Sequence, residues 1–328
     1  MRASWGLVIG LTTFPGWAAG ATLPGASPTS AVFAGTSLIV SQTGPVTSGL
    51  LRYDRTDVWR VALKRGGSAG RAERLITVRT SAGRLQPPLL SARPDGTFAL
   101  VAHGPRAAPA VIWCCDAATG IQEVVESDGR PGSRVPLAIW VGDRRVRYIT
   151  VQGADARLVE APATQIGAPV GLTLPSIPRS DRIALSETAM WWVENPAYGS
   201  AREVVEGRDV DGEVRIVRRL PQPGTVHALL ADGGQLTVLV HRANGDEVRR
   251  GTGARLWRGR HRPLIAAGGG RVAVAEGRMI RIGTDKLSVP IASRETVRAL
   301  AVDRGRVAWA GFVGHGVRRR TAIHWVAR

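Results

Sequence analysis

One short pattern recurs along this chain: an apolar run, a tight turn that contains Asp, Glu or Gly, and a second apolar run. Its clearest copy is LLSARPDGTFALVAH, and seven copies occur in all. Their turns fall at or near Gly35, Asp95, Asp143, Glu187, Asp232, Gly268 and Asp303. Paired apolar runs around such turns predict β-hairpins. After the first 21 residues, no segment shows the sustained 3.6-residue apolar period of a capped helix. The sequence therefore predicts an all-β protein with few helices.

A second, weaker hairpin follows each copy. VIWCCD and IQEVV flank AATG, and REVVEGRDV and EVRIVRRL flank Asp211-Gly212. Four strands per unit, with turns spaced from about 60 residues early in the chain to about 34 late, are typical of propeller blades. The 328 residues suffice for one large β domain. We therefore expect a single β-propeller, with seven blades of four antiparallel strands.

Four tryptophans fall at similar places in these units, in what we expect to be the third strand. They are Trp59, Trp113, Trp257 and Trp325. A large aromatic side chain there would fill the widening gap between neighbouring blades. We interpret them as core residues.

The last unit ends at its third strand, TAIHWVA, because the chain stops at Arg328. A propeller must close its ring, so we expect a segment near the N-terminus to supply the missing outer strand. One donor is TLPGASPTS, residues 22–30, although its two prolines make a poor strand. The other is WGLVIGLT, residues 5–12.

Residues 1–21 have the layout of a secretory signal peptide. One Arg precedes an apolar stretch, a Pro-Gly break follows, and Ala19-Gly20-Ala21 offers a small-residue cleavage site. We therefore expect residues 22–328 to form the mature propeller, exported to the periplasm or the extracellular space. No apolar run reaches the roughly 20 residues that a bilayer requires, so no membrane span is expected.

The stretch RPDGTFALVAHG followed by VIWCCDAATG resembles the unit of TolB-type, WD-repeat-like propellers. Pro94, Asp95 and Gly96 match the family's Ser-Pro-Asp-Gly signature, whereas Arg93 stands where Ser is usual. DVWRVALKRGG resembles the family's third strand, and DAATG is similar to a turn of quinoprotein-type propellers. The TolB-type resemblance implies a periplasmic or extracellular binding propeller, and it assigns no catalytic residue.

The two cysteines, Cys114 and Cys115, are adjacent. A bond between neighbours would be strained, because their Cα atoms lie about 3.8 Å apart, below the usual disulfide range. Two readings stay open: a pair of small buried residues, or a redox-sensitive vicinal bridge.

The formal net charge is +18, and Lys64 and Lys286 are the only lysines. Such a charge attracts polyanions, and the attraction weakens with salt. We expect a protein partner or an anionic glycan or envelope polymer, but no specific nucleic acid, because no known module is present. The densest basic stretch, VRRGTGARLWRGRHR, would be divided between two faces by strand alternation. The chain is expected to be monomeric.

Loops between second and third strands share one face of a propeller with the links between blades. In this register they carry the longest polar segments, among them AHGPRAAP, ENPAYGS, HRANGDEVRRGTG and GFVGHGVRRR. We therefore predict a ligand site on this face, because rigid blades that present variable loops commonly form one. The candidate residues are His103, Arg106, Glu194, Asn195, Tyr198, His241, Arg242, Asn244, Asp246, His315, Arg318, Arg319 and Arg320.

No motif predicts a catalytic residue, a metal site or a cofactor. Gly66-Gly67-Ser68-Ala69-Gly70 has the spacing of a nucleophile elbow, but it joins two strand-like runs where that elbow needs a strand-to-helix turn. Asp209 and Asp211 lack the other ligands of a calcium loop. We expect a binding or scaffolding module for an anionic envelope or extracellular ligand. The alternative is a propeller enzyme, a quinoprotein-like oxidoreductase or an extracellular hydrolase, with its site at the channel mouth.

Overall fold

The structure, a computed structural model, describes most of the chain in ranges separated by short gaps. These ranges are residues 22–24, 27–48, 51–64, 69–81, 89–103, 109–116, 120–125, 135–142, 145–152, 155–162, 170–194, 202–283, 285–291, 296–313 and 320–327. The first 21 residues, and with them the predicted signal peptide, lie outside the described residues.

The described residues form seven four-stranded antiparallel sheets, which we number in chain order. Sheet 1 contains β2 (Ser27–Ala34), β3 (Ser37–Ser48), β4 (Leu51–Leu63) and β5 (Ala69–Ser81). Sheet 2 contains β6 (Leu89–Ala92), β7 (Phe98–His103), β8 (Pro109–Asp116) and β9 (Gly120–Val125). Sheet 3 contains β10 (Val135–Val141), β11 (Arg145–Gln152), β12 (Asp155–Pro162) and β13 (Val170–Thr173).

Sheet 4 contains β14 (Pro178–Leu185), β15 (Met190–Glu194), β16 (Glu203–Val210) and β17 (Glu213–Pro221). Sheet 5 contains β18 (Thr225–Asp232), β19 (Gln235–Arg242), β20 (Gly245–Arg250) and β21 (Arg255–Gly259). Sheet 6 contains β22 (Leu264–Gly268), β23 (Arg271–Glu276), β24 (Met279–Ile282) and β25 (Asp285–Pro290). Sheet 7 contains β26 (Thr296–Val302), β27 (Arg306–Val313), β28 (Arg320–Ala327) and β1 (Thr22–Pro24).

The first strand of each sheet contacts the first strand of the next, from β2 through β6, β10, β14, β18 and β22 to β26, and β26 contacts β2. The sheets therefore radiate from a ring of inner strands, which is the arrangement of a β-propeller. The predicted all-β propeller fold is confirmed. Each of the seven hairpins predicted from the repeats joins the first and second strands of a sheet.

The N-terminal strand β1 closes the ring. Thr22, Leu23 and Pro24 pair antiparallel with Ala322, Thr321 and Arg320 of β28. The first of the two predicted donor segments is thus the one that pairs, and residues 5–12 lie outside the described residues. Proline is tolerated because β1 is an edge strand of only three residues. Leu23 is buried with Ile323 and Trp325 in the core between sheets 7 and 1.

Both faces of the sheets are buried, since each sheet packs against two neighbours. In β16, Val204 packs in the core between sheets 4 and 5, whereas Val205 packs in the core between sheets 3 and 4. Successive side chains of a strand point to opposite faces. Continuous apolar runs in the sequence therefore correspond to strands that contribute to two cores.

Three of the four tryptophans lie on third strands, as expected, and one does not. Trp59, Trp113 and Trp325 belong to β4, β8 and β28, but Trp257 lies on β21, the fourth strand of sheet 5. The prediction was wrong there because the polar segment GDEVRR was interpreted as a loop, whereas it forms the third strand β20. Trp257 is nevertheless buried.

The innermost strands share an irregularity close to their first residues. Register shifts occur at Pro28/Ser30, Pro136/Ala138, Pro178/Ile183, Val226/Ala228 and Val297/Ala299. A bulge leaves one residue unpaired and changes the direction of its side chain. Sheets 1, 3, 5 and 7 therefore each place one extra residue at the same end of the inner strand, whereas the shift in sheet 4 is larger, and in sheet 5 the extra residue is His227.

Cys114 and Cys115 both lie on β8, and their side chains are outside the described residues. The two readings of this pair stay open. Among the described residues, none forms a helix with the length and apolarity that crossing a bilayer requires.

Candidate functional site on the loop face

The connections from second to third strands, together with the links between sheets, define what we call the loop face. Glu194 ends β15, His241 and Arg242 end β19, Asn244 lies in the turn that follows β19, and Arg320 begins β28. His103 ends β7, and only its backbone is described. Six candidates lie outside the described residues, namely Arg106, Asn195, Tyr198, His315, Arg318 and Arg319.

The connection in sheet 5 is shorter than predicted. Between β19 and β20 only Ala243 and Asn244 form the turn, and Asp246 is already paired with His241 across the two strands. HRANGDEVRRGTG is therefore a hairpin and not a long loop. Its charged residues looked solvated in the sequence, but Asp246 and Glu247 are both buried.

His241 and Asp246 form a hydrogen-bonded pair at this hairpin. The Nδ1 atom of His241 lies 2.6 Å from Oδ1 of Asp246, and the Asp246 side chain is 8% exposed, whereas that of His241 is 56% exposed. A carboxylate accepts hydrogen bonds, so it favours the tautomer in which Nδ1 carries the proton. Nε2 of His241 is then the ring nitrogen that can accept a proton or a hydrogen bond.

His227 completes a small cluster at this end of sheet 5. Its ring meets that of His241 edge to face, with the centroids 5.3 Å apart. Burial lowers the pKa of His227, and the positive charges of Arg262 and Arg182 lower it further, while Asp246 opposes the shift. His227 therefore favours the neutral form more strongly than an ordinary histidine does. We call His227, His241 and Asp246 the histidine centre.

Sequence reasoning did not select His227, although the sequence contains a signal for it. Val226 and Leu229 both pack in the core between sheets 4 and 5. A regular strand would place residues two or four apart on one face, so a spacing of three marks an extra residue. The break in alternation at Val226-His227-Ala228 thus indicates a bulge, and the bulged residue is a histidine.

Glu194 is held by other residues of its own sheet. Both of its oxygens accept hydrogen bonds from Arg219, at 2.9 and 3.0 Å, and Arg219 also donates to Glu203 at 3.1 Å. The hydrogen bonds from Arg219 lower the pKa of Glu194, although burial opposes the shift, and both carboxylates raise the pKa of Arg219. This geometry is that of a bidentate structural pair, so Glu194 is less suited to a ligand than the sequence suggested.

Asp209 and Asp211 form the turn of the β16–β17 hairpin. The backbone N–H of Gly212 donates to Oδ1 of Asp209 at 3.2 Å, and Asp211 has a φ of +56°. The motif is therefore a polar hairpin turn. Over the described ranges, no group of three or more His, Cys, Asp and Glu residues is arranged to hold a metal ion.

The ring of inner strands encloses a central channel of about 1860 Å³. Its walls are mostly small apolar side chains, and its lining continues into the first turns of the sheets, which carry Asp95, Asp232 and Asp303. This end of the channel is opposite to the loop face, because first turns and second connections lie at opposite ends of the same strands.

No family model matches this chain, and no curated protein matches it. Solved structures do. The β-propeller domain of the Trilobed protease from Pyrococcus furiosus, described as having an open velcro topology, is 11% identical, with a TM-score of 0.58, over 91% of this chain and 95% of that one. In the present chain, by contrast, β1 pairs with β28.

Two further similar structures belong to longer proteins. PorZ, a bacterial surface component of the type-IX secretion system of Porphyromonas gingivalis, has a TM-score of 0.55 and 11% identity over 94% of this chain and 39% of that one. The acylaminoacyl peptidase of Pyrococcus horikoshii has a TM-score of 0.54 and 9% identity over 87% and 49%. The chain thus spans less than half the length of these two proteins. At such identities the likeness shows the propeller fold alone.

Proposed function

We propose that this chain is an exported propeller of the TolB-type, WD-repeat-like kind, which acts as a binding or scaffolding module and engages an anionic envelope or extracellular ligand through its loop face. One observation carries the proposal: the exposed His241, oriented by the buried Asp246, lies beside His227 where an inner strand is bulged. The excess of arginine over acidic residues supports an anionic ligand.

The chemistry of the histidine centre suits a carboxylate, sulfate or phosphate group. The exposed ring of His241 is hydrogen-bonded to Asp246, and Arg182 and Arg262 add positive charge near His227. Guanidinium groups recognise planar oxyanions through paired N–H donors.

The test is calorimetric titration of the full chain with short fragments of anionic glycans and envelope polymers, such as galacturonate dimers, at two salt concentrations. We expect binding that weakens with salt and that the double variant His227→Ala/His241→Ala loses. Arg281→Gln, which removes an exposed charge on sheet 6, is the control and should bind like the parent chain. Equal binding by the parent and the histidine variant would refute the role of this centre.

The alternative is a propeller enzyme, a quinoprotein-like oxidoreductase or an extracellular hydrolase. The observation in its favour is the same pair, because an imidazole oriented by a carboxylate can act as a general base. An absorbance spectrum and metal analysis of the purified protein separate the two functions. A quinone band or a stoichiometric metal would favour the enzyme, and turnover of glycan or peptide substrates that depends on His241 would establish it.

A further inference from the structure

Two buried carboxylates lie in equivalent places on neighbouring sheets. Glu206 is on β16, the third strand of sheet 4, and Glu247 is on β20, the third strand of sheet 5. Each side chain is 1% exposed, and each is paired with arginines of its own sheet. Carboxylates this deeply buried need such partners, because an unpaired charge would be costly.

The two carboxylates face each other across the gap between sheets 4 and 5. Glu206 lies directly opposite Trp191, and Glu247 lies directly opposite Val240. Directly opposite residues of an antiparallel pair lie on the same side of the sheet, and Trp191 and Val240 both pack in the core between these two sheets. The side chains of Glu206 and Glu247 therefore belong to the two walls of one gap.

The arginines around these carboxylates line the same walls. Arg208 and Arg218 pair with Glu206 at 3.1 and 2.6 Å. Around Glu247 stand Arg242, Arg249, Arg255 and Arg258, at 3.0, 3.2, 3.9 and 3.8 Å. Sheets that radiate from an axis diverge outward, so the outer strands leave a wedge-shaped opening, which we call the arginine groove.

The groove carries more positive charge than its ion pairs neutralise. Six guanidinium groups face two carboxylates, which leaves an excess of four positive charges among the described side chains. One carboxylate has no need of four arginines for its own stability, because its two oxygens are already bonded by Arg242 and Arg249. Guanidinium groups gathered around one carboxylate repel one another, and a bound anion would offset that repulsion.

Arg249 differs from the other five arginines. It is 19% exposed, and besides Glu247 it donates to the carbonyl oxygens of Thr252 and Gly253. It therefore holds the end of β20 in place. Arg255 and Arg258 lie beyond hydrogen-bonding distance of Glu247, so this carboxylate positions them electrostatically without using their N–H donors.

The other five guanidinium groups are exposed, and those of Arg208, Arg218 and Arg242 are restrained by hydrogen bonds to the two carboxylates. Arg208, Arg218, Arg242, Arg255 and Arg258 are between 42% and 61% exposed. Restrained side chains lose less conformational freedom when a ligand binds. We propose that the arginine groove between sheets 4 and 5 is a binding site for an acidic polysaccharide, whose repeated carboxylate or sulfate groups bridge the arginines of the two walls.

A polysaccharide fits the groove better than a single-stranded nucleic acid does. Single strands are held by stacking of their bases on exposed aromatic side chains. Trp191 is 2% exposed on the floor of the groove, and Trp257 is buried and packs in a different core, with Leu239 and Val274. The described residues of the groove therefore offer oxyanion donors and no stacking surface.

This site is separate from the histidine centre. Asp246 and His241 are paired with each other, one position away in the strands from Glu247 and Val240, so their side chains point to the other side of sheet 5. Arg242 is also a loop-face candidate, but the variants that test the groove change other residues. The proposal therefore goes beyond the histidine centre and can fail or succeed independently of it. His227→Ala/His241→Ala should leave groove binding unchanged.

The experiment titrates the full chain with a heparin oligosaccharide and with polygalacturonate, at two salt concentrations and with neutral dextran as the reference. We expect Arg255→Gln/Arg258→Gln to bind at least about tenfold more weakly at low salt and to show a flatter salt dependence. The matched control Arg278→Gln/Arg281→Gln removes the same charge from two exposed positions of sheet 6 and should stay within about twofold of the parent.

A third variant tests the opposite wall, and thermal unfolding of every variant separates a loss of binding from a folding defect. Arg218→Gln changes only sheet 4, and it should also weaken binding if the ligand bridges both walls. Equal losses in the groove and control variants would overturn the proposal, because net charge alone would then explain binding. Stronger competition by single-stranded DNA or polyglutamate than by the glycans would overturn the assignment of the ligand to the polysaccharide class.

Discussion

The side-chain amide of Gln42 donates a hydrogen bond of 2.7 Å to the hydroxyl of Thr321, a residue 279 positions further along the chain. Gln42 lies on β3 and Thr321 on β28, so this bond joins sheet 1 to sheet 7. Both residues are fully buried. Together with β1, the bond fastens the two ends of the ring.

Thr321→Val should destabilise the protein by about 1–3 kcal/mol, because it removes a fully buried hydrogen bond between the two sheets. The double variant Gln42→Leu/Thr321→Val should lose less than the sum of the single changes, since it removes both polar partners. Denaturant unfolding of the four proteins measures the coupling. A coupling near zero would contradict the role of this bond in closure.

The mature chain should begin at Thr22. Ala19-Gly20-Ala21 offers the cleavage site, and Thr22 is the first residue of β1. N-terminal sequencing of the native protein checks this, and an intact N-terminus at Met1 or Arg2 would refute export by this signal.

The packing of β1 gives an independent prediction. Leu23 is 1% exposed, so Leu23→Ala should cost about 2–4 kcal/mol of unfolding free energy through the cavity that it creates. Val217→Ala is the control, because Val217 is 45% exposed, and its change should stay within about 0.5 kcal/mol. Similar values for the two variants would mean that β1 contributes little to closure.

Gly245→Ala should be more harmful than Gly251→Ala. Both glycines have positive φ, but a Cβ at Gly245 would lie 2.2 Å from the carbonyl oxygen of Gly259, whereas one at Gly251 would meet open space. Gly251→Ala should cost about 1 kcal/mol for its backbone conformation alone. Gly245→Ala adds a steric clash, so we expect a clearly larger fall in the midpoint temperature of thermal unfolding. Equal falls for the two variants would show that the clash is relieved.

Acid should weaken the protein partly through Glu247. Burial opposes its ionisation, but the hydrogen bonds and charges of Arg242 and Arg249 outweigh burial and lower its pKa below the usual 4.5. The unfolded chain then binds the proton first as the pH falls, so stability present above about pH 4.5 is lost as the pH approaches the lowered value.

Glu247→Gln should therefore lose about 2 kcal/mol at pH 7, and its difference from the parent should shrink below pH 4.5. Denaturant unfolding between pH 7 and pH 3 measures this. Glu213→Gln serves as the reference, because Glu213 is 71% exposed, and should change little at any pH. A difference that stayed constant with pH would show that the charge of Glu247 is not the cause.

The sequence predicted the fold because its repeats are periodic, and it failed where burial depends on distant partners. Asp95-Gly96 and Asp211-Gly212 mark their turns locally, and such turns do not depend on the rest of the fold. Glu247 misled the prediction, because a carboxylate with arginines nearby in the sequence is typical of an exposed segment. Its burial follows from the convergence of arginines from β19, β20 and β21 on one side of the sheet.

The candidate site was only partly predictable for the same reason. The loop face was predicted from the direction of the strands. The structure places Glu194, His241 and Arg320 at the strand ends that border this face. Their ligand-binding role stays a prediction. The choice of His227 required its bulge and its contact with His241, and neither is a property of one local segment.

The pairing of β1 with β28 also implies an order of strand pairing during synthesis and folding. Thr22–Pro24 is the first strand of the fold to be synthesised, and its partner is the last. Until Arg320–Ala327 arrives, β1 has no edge to join, and the core that receives Leu23 is incomplete. Non-local pairing of this kind folds slowly. We therefore expect a chain that ends before Arg320 to expose the flank of sheet 1 to chaperones and proteases.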